Sequence, residues 1–272
     1  MTRELTLALA QVEPQLGAIT ANLDLVMRVT AEAAGKNADW VIFPELCLTG
    51  CNPELLGDRL IELALGADDE PMQQLARAAG QHGVYLVVGF IEKRAIPGVV
   101  YNSLAIFGPQ GSLLRTYAKS HLFMNETLHF RRGPEVDTVR VDHGVIGPMI
   151  CMDIGYPEVA RILSLRGAEL LLASAGWIVE DEDLWELSLR ARALDNLAFV
   201  AGVNLVGVEG NMHFIGQSMV VDPRGRVLAK MGGEEGLLIA TVDLDQVALA
   251  RRRALHLTGR RPELYGPLTE MT

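Results

Sequence analysis

The chain has 272 residues, of which 49% are apolar and only 6% aromatic, and its formal net charge is −10. That charge disfavours nucleic acid or an anionic membrane as partner, because both need basic patches. No charge-free apolar run reaches the ~18 residues of a membrane span. The first residues lack the basic start and long apolar stretch of a signal peptide, so a cytoplasmic location is expected.

Taken in chain order, Leu5–Gln11 reads as a first strand and Ala21–Ala34 as an amphipathic helix, with Leu23, Val26, Val29 and Ala33 at helical spacing. Trp40–Phe43 is a short apolar strand. Pro71–Gln81 opens with proline in the first turn of a helix. Strand-like runs follow at Tyr85–Ile91, Ser103–Gly108, Ser112–Tyr117, Thr138–Val141 and Val145–Ile150. The helix predicted at Pro157–Arg166 is followed by a strand at Leu170–Ala173. The helix at Asp183–Asn196 has acidic residues at its start, which suits a helix N-terminus. Strands then come at Phe199–Val203, Gln217–Val221, Val227–Ala229 and Leu237–Val242, and Asp243 is a candidate cap for a last helix reaching Arg252.

Several strands are apolar throughout, as expected when both faces are covered. Gly108-Pro109-Gln110-Gly111 and Asp222-Pro223-Arg224-Gly225 are turn signals that each join two strands, late in each half of the chain. The reading is one α/β domain of two similar halves, with helices outside mixed sheets that pack face to face. The tail after Arg253 is irregular and is expected to dock on the domain or a partner subunit. The basic run Arg251–Arg253 reads as a solvated helix end.

The 3 cysteines have no small-scaffold spacing and point to free thiols in a reducing compartment. No His or Cys pair elsewhere completes a zinc site with Cys47 and Cys51, so no metal is expected.

Three contexts carry chemistry. The apolar run from Trp40 ends at Pro44, and Glu45 follows; a poorly solvated carboxylate there is a better base, although a loop glutamate bonded to backbone fits equally well. Lys119 follows a strand. Alone it reads as a solvated lysine, but beside a thiolate it would lower the thiol pKa and stabilise an oxyanion. Glu126 is a carboxylate that can hold Lys119 or simply lie on the surface. His121 reads as a hydrogen-bonded structural residue. Cys151 closes the strand Val145–Ile150 at a turn containing Gly155 and Pro157, before a helix. That position suits a nucleophile, with backbone N–H groups aimed at it. Asp153 reads as a cap for the following helix, and Cys47 and Cys51 as packing residues.

These contexts resemble the nitrilase, or carbon–nitrogen hydrolase, superfamily. Phe43-Pro44-Glu45, the run Tyr117–Phe123 and the run Ile150–Glu158 are similar to its three catalytic blocks in order, and the likeness extends from about Leu5 to Leu268. It includes Asn125-Glu126, Arg190–Asn196, Phe214–Ser218, Asp222–Gly225 and Val242–Asp245. The resemblance implies a single carbon–nitrogen hydrolase domain over residues 1–272, an αββα sandwich with two mixed sheets, a homodimer or higher homo-oligomer, and no cofactor. It implies Cys151 as nucleophile, Glu45 as general base, and Lys119 with the Met152 N–H as oxyanion donors. Glu126 would orient Lys119, and Trp177 would line the pocket, core packing being the alternative for Trp177. The implied activity is amide hydrolysis to a carboxylic acid and ammonia through a cysteine thioester. A carbamoyl-amide or nitrile hydrolase, and a silent binding protein of the same fold, are the alternatives. Met152-Asp153 after the cysteine favours an amide over a nitrile. Gly155, where many relatives have arginine, suggests a neutral or non-anionic linear amide.

Overall fold

The computed structural model describes residues 3–270. The first half supplies strands β1 (Glu4–Gln11), β2 (Trp40–Ile42), β3 (Tyr85–Lys93), β4 (Val100–Phe107) and β5 (Leu113–Ala118). The second supplies β6 (Val139–Val141), β7 (Gly144–Ile150), β8 (Leu170–Ala175), β9 (Phe199–Asn204), β10 (Val206–Glu209), β11 (Met212–Ile215), β12 (Met219–Val221), β13 (Val227–Lys230) and β14 (Gly236–Asp243). The helices are α1 (Ile19–Gly35), α2 (Pro53–Leu56), α3 (Arg59–Glu62), α4 (Glu70–His82), α5 (Pro157–Leu165), α6 (Glu182–Asn196) and α7 (Asp245–Arg253).

Two six-stranded sheets form, in the orders β14-β1-β2-β3-β4-β5 and β6-β7-β8-β9-β12-β13. In that direction both run antiparallel, parallel, parallel, antiparallel, antiparallel. The two halves expected from the repeated turn signal are therefore real at the level of strand pairing, with β4–β5 and β12–β13 as equivalent hairpins. The last strand, β14, crosses back to pair with β1, so the first sheet is closed by the end of the chain.

The alternation along each strand builds the layers. Leu5, Leu7 and Leu9 of β1 face the inter-sheet core with Trp40, Ile42, Ile146 and Leu170, while Ala8 and Ala10 face Leu23 and Val26 of α1 and Leu75 and Ala79 of α4. Val159, Ala160 and Leu163 of α5 and Trp185, Leu189 and Ala193 of α6 cover the second sheet. The result is an αββα sandwich. Each large apolar side chain fully withdrawn from water contributes ~1.5–3 kcal/mol, and the core holds the strand ends, and whatever they carry, rigidly.

Some elements differ from the reading of the sequence. The short helices α2 and α3 and the hairpin β10–β11 were not anticipated. Asp243 ends β14, one residue before the N-cap position, and its carboxylate accepts from the N–H of Asp245, the first residue of α7, at 3.0 Å. Arg251 is not a freely solvated end, because its guanidinium donates to the Ala168 carbonyl at 2.6 Å. In the tail, Leu255, Leu264 and Leu268 are exposed. Among the described residues, no helix is long and apolar enough to cross a membrane.

Candidate active site

At one end of the sandwich the strands deliver polar groups into a cavity of about 630 Å³. Glu45 comes from the turn after β2. That turn lies against β3, where a Cβ on Gly89 would sit 2.3 Å from the Pro44 carbonyl oxygen and 2.4 Å from the Leu46 nitrogen, so only glycine fits. Leu46 is held at φ +48°. This tight seat, rather than the strand itself, aims the Glu45 side chain inward.

The Glu45 carboxylate is almost wholly buried and fully engaged. Its Oε1 accepts from Lys119 Nζ at 2.6 Å and from Asn102 Nδ2 at 2.7 Å, and its Oε2 accepts from the Gly176 N–H at 2.8 Å. Gly176 follows β8 in the second sheet, and a Cβ there would meet Cys51 Sγ at 2.7 Å.

Lys119 leaves the end of β5 and is 1% exposed. Its ammonium donates to both oxygens of Glu126, at 3.0 and 2.7 Å, as well as to Glu45. Burial disfavours the charge, yet the carboxylates of Glu126 and Glu45 outweigh it and hold the lysine pKa well above its ordinary value. Glu126 sits in a single turn of 3₁₀ helix, Met124–Leu128, and also accepts from the Phe123 N–H at 2.7 Å. Burial raises its pKa, and Lys119 partly reverses that.

Asn102, on β4, was missed by the reading of the sequence. Its Nδ2 donates to Glu45 Oε1 and, at 3.2 Å, to Glu126 Oε1, bridging the two carboxylates that flank the ammonium. The signal was a carboxamide beside Ser103 in a mostly apolar strand.

Cys151 stands at the end of β7 with φ +43°, a left-handed conformation that a cysteine adopts only when the surroundings impose it. Its thiol lines the same cavity as Glu45, Lys119 and Glu126. Lys119 acts on the thiol in the expected direction, but it does not act alone: burial and the nearby Glu45 push the thiol well above its ordinary value. A buried thiol beside a carboxylate that can take its proton, with an ammonium to face a developing oxyanion, is equipment for acyl transfer.

Met152 sets its side chain beside Gly155 and is not among the residues that line the cavity. Trp177 does not line the cavity. Its indole N–H donates to the Asp181 carbonyl at 2.7 Å and its ring packs at 5.4 Å from Trp185, so it supports the wall from behind. Cys51 lines the cavity instead of merely packing, with burial pushing its thiol well up. Cys47 does pack in the core, and burial pushes it up to about 12.

Asp153 does not cap the next helix either. It is fully buried and accepts from Tyr117 Oη at 2.8 Å, Ser120 Oγ at 2.6 Å, and the N–H groups of His121 and Ile150 at 3.0 and 3.1 Å. His121 has the structural setting expected of it, with Nδ1 at 3.0 Å from the same carboxylate and its ring stacked on Tyr156.

The mouth is built by elements the sequence reading passed over. Glu54 and Asn52 come from the α2 region, and Asn211 and Met212 from the turn of the β10–β11 hairpin. The two-residue Gly210-Asn211 turn between alternating apolar residues was the available signal. Glu180 and Asp181 complete the rim, and among the described residues Lys119 is the only basic side chain that lines the cavity. Gly155 is exposed and lies outside the lining, so its lack of charge does not bear on the pocket.

The sequence model of the carbon–nitrogen hydrolase family matches residues 6–252. The chain is 36% identical over 236 residues to the 2-oxoglutaramate amidase of Bacillus subtilis, covering 86% of this chain and 89% of that one. The crystal structure of a carbon–nitrogen hydrolase from Helicobacter pylori G27 superposes with a TM-score of 0.89 at 28% identity, over 99% of both chains. A mutant of the amidase from Nesterenkonia sp. AN1, solved with covalent addition of the acetamide moiety of fluoroacetamide at its active-site cysteine, superposes at 0.85 with 26% identity over 96% of this chain and 95% of that one.

Proposed function

Because the chain belongs to the carbon–nitrogen hydrolase family, we propose that it hydrolyses the C–N bond of a small linear amide to a carboxylic acid and ammonia, with Cys151, Glu45 and Lys119 as its catalytic residues. The observation that carries this reading is the Lys119 ammonium, 2.6 Å from Glu45 and 2.7 Å from Glu126, in the cavity that holds the Cys151 thiol.

The steps follow from the groups present. Glu45 takes the proton from Sγ as sulfur bonds to the amide carbon, and the carbonyl electron pair moves onto oxygen. Lys119 and the Met152 N–H donate to that oxyanion; losing one such donor typically costs ~2.7–4 kcal/mol. The intermediate collapses, the C–N bond breaks, and Glu45 returns its proton to the departing nitrogen. Glu45 then takes a proton from water, which attacks the thioester. The S–C bond breaks and the thiol regains its proton. Glu126 holds Lys119 while Glu45 changes protonation state, which keeps an ammonium opposite the oxyanion throughout.

The rim favours a neutral or cationic amide. An anionic tail would lie among Glu54, Glu180 and Asp181, while the only lining cation is already committed to two carboxylates. At an effective dielectric of ~20, each like-charge pair at ~4 Å costs about 4 kcal/mol before screening. Ammonia release from hexanamide compared with an ω-amidated dicarboxylate tests this. Hexanamide is expected to be the better substrate, and a tenfold or greater preference for the dicarboxylate would remove the charge argument.

Incubation with fluoroacetamide followed by intact-mass measurement tests the nucleophile. One adduct, lost in Cys151→Ala, is expected; equal labelling of Cys47, Cys51 and Cys151 would point to ordinary thiols. Exposed Ile162 and Leu165 on α5 with Leu187 and Leu194 on α6 support pairing with a second copy, read by sedimentation. The 3 buried, unpaired cysteines suit a reducing cytoplasm.

A further inference from the structure

We propose that Asp153 is the positioning residue that sets the Lys119 ammonium opposite the Cys151 thiol, by joining the two sheets at the site. This rests on the reading of Cys151 as nucleophile given above.

Lys119 and Cys151 belong to different sheets. Lys119 follows β5 in the first, and Cys151 follows β7 in the second. Among the described residues no ladder of hydrogen bonds connects those sheets; the packed core fixes how the strand ends sit, and directional contacts set the polar side chains they carry against each other. Asp153 supplies a directional link. Its carboxylate accepts from the Ile150 N–H at 3.1 Å in its own turn. It also accepts from three donors on the other sheet's segment: Tyr117 Oη at 2.8 Å, Ser120 Oγ at 2.6 Å and the His121 N–H at 3.0 Å. These donors lie on both sides of Lys119 in the chain, so the segment is held before and after the lysine.

Glu45 is fastened to the second sheet in a parallel manner. Ser174 Oγ of β8 donates to the Phe43 carbonyl at 2.9 Å, and the Gly176 N–H donates to Glu45 itself. Among the described residues, Asp153 supplies the buried direct hydrogen bonds from the second sheet to the β5 segment; Arg115 adds a half-exposed ion pair to Asp137 before β6, and Lys119 reaches Gly176 only through Glu45. The charges that act most on the thiol are Glu45, Lys119 and Glu126, so Asp153 works by placement rather than by its own field. A carboxylate suits the place because the Tyr117 and Ser120 hydroxyls and the N–H groups of His121 and Ile150 all donate to it, and His121 Nδ1 lies 3.0 Å away. Asparagine would turn an –NH₂ toward two of them.

The test compares Asp153→Asn, Tyr117→Phe, Ser120→Ala and Ser120→Thr with the unaltered protein, at a temperature where each is folded by circular dichroism. A displacement near 1 Å can cost ~100-fold in rate. Asp153→Asn is therefore expected to lower kcat about 100-fold, and the two single donor losses about tenfold each, with KM little changed. The rate of Cys151 labelling by fluoroacetamide should fall by matching factors, and Ser120→Thr, which keeps the hydroxyl, should recover most of the loss. If Asp153→Asn does not fold, Tyr117→Phe and Ser120→Ala carry the test. Variants that melt earlier yet keep kcat and labelling rate would show a purely structural joint and overturn the proposal. An unaltered protein that neither releases ammonia nor takes the label would instead sink the assignment of Cys151, and this inference with it.

Discussion

Replacing Lys119 by methionine removes one buried charge and leaves two. The ammonium is 2.6 Å from Glu45 and 2.7 Å from Glu126, and both partners are almost entirely out of water. Breaking a buried pair by deleting one side typically costs ~3–5 kcal/mol, because the remaining charge is left uncompensated. At about 2–4 °C per kcal/mol for a chain of this order, the melting temperature at pH 8 should drop by roughly 6–20 °C. The loss depends on pH, and its sign is fixed by the carboxylates. Burial already raises the pKa of Glu126, and without Lys119 its chief opposition is gone. A carboxyl group whose folded pKa is raised above its unfolded value of about 4.3 stabilises the fold at low pH, and that stability is lost as pH rises through the folded value. Lys119 itself is raised, so in the unaltered protein its contribution persists up to the ordinary lysine range. The gap in melting temperature between the two proteins should therefore widen from pH 5 to pH 8, measured by scanning calorimetry in low-salt buffers. Equal melting at pH 8, with no trend across that range, would mean that the ammonium does not neutralise these carboxylates.

Other expectations follow from the same geometry. Glu45→Gln should lower kcat by ~10²–10⁴, the usual contribution of a positioned acid–base group, while circular dichroism stays native; retained ammonia release would remove Glu45 from its role. Gly89→Ala should lower both the melting temperature and, ~100-fold, the activity of what folds, because its Cβ would press on Pro44 and Leu46 backbone at 2.3 and 2.4 Å and the Glu45 seat must shift. Near-normal kcat would show that the seat yields harmlessly. Burial and Glu45 hold the Cys151 thiol well up, so its alkylation by iodoacetamide should climb about tenfold per pH unit from pH 7 to 9. A plateau near neutrality would indicate a thiolate already stabilised by Lys119.

The local pattern of residues determined a good deal about this protein. Runs of Val, Ile and Leu marked the strands because covered sheets are built from them, and the two Pro-Gly turns marked equivalent hairpins. Strand-end placement singled out Glu45 and Cys151, each standing where an apolar run stops, while Lys119 follows a mixed strand and gained its meaning from the company of the other two. Only the tertiary structure decided what those residues touch. Asn102, Gly176 and Asp153 act through partners far along the chain, and sequence spacing carries no information about a hydrogen bond between two sheets. Trp177 and Cys51 exchanged their expected places for the same reason: which side chain faces a cavity depends on how the turn after β8 packs against its neighbours. The acidic rim arises from α2 and the loop before α6, whose carboxylates, Glu54, Glu180 and Asp181, line one cavity only after folding brings these distant segments together.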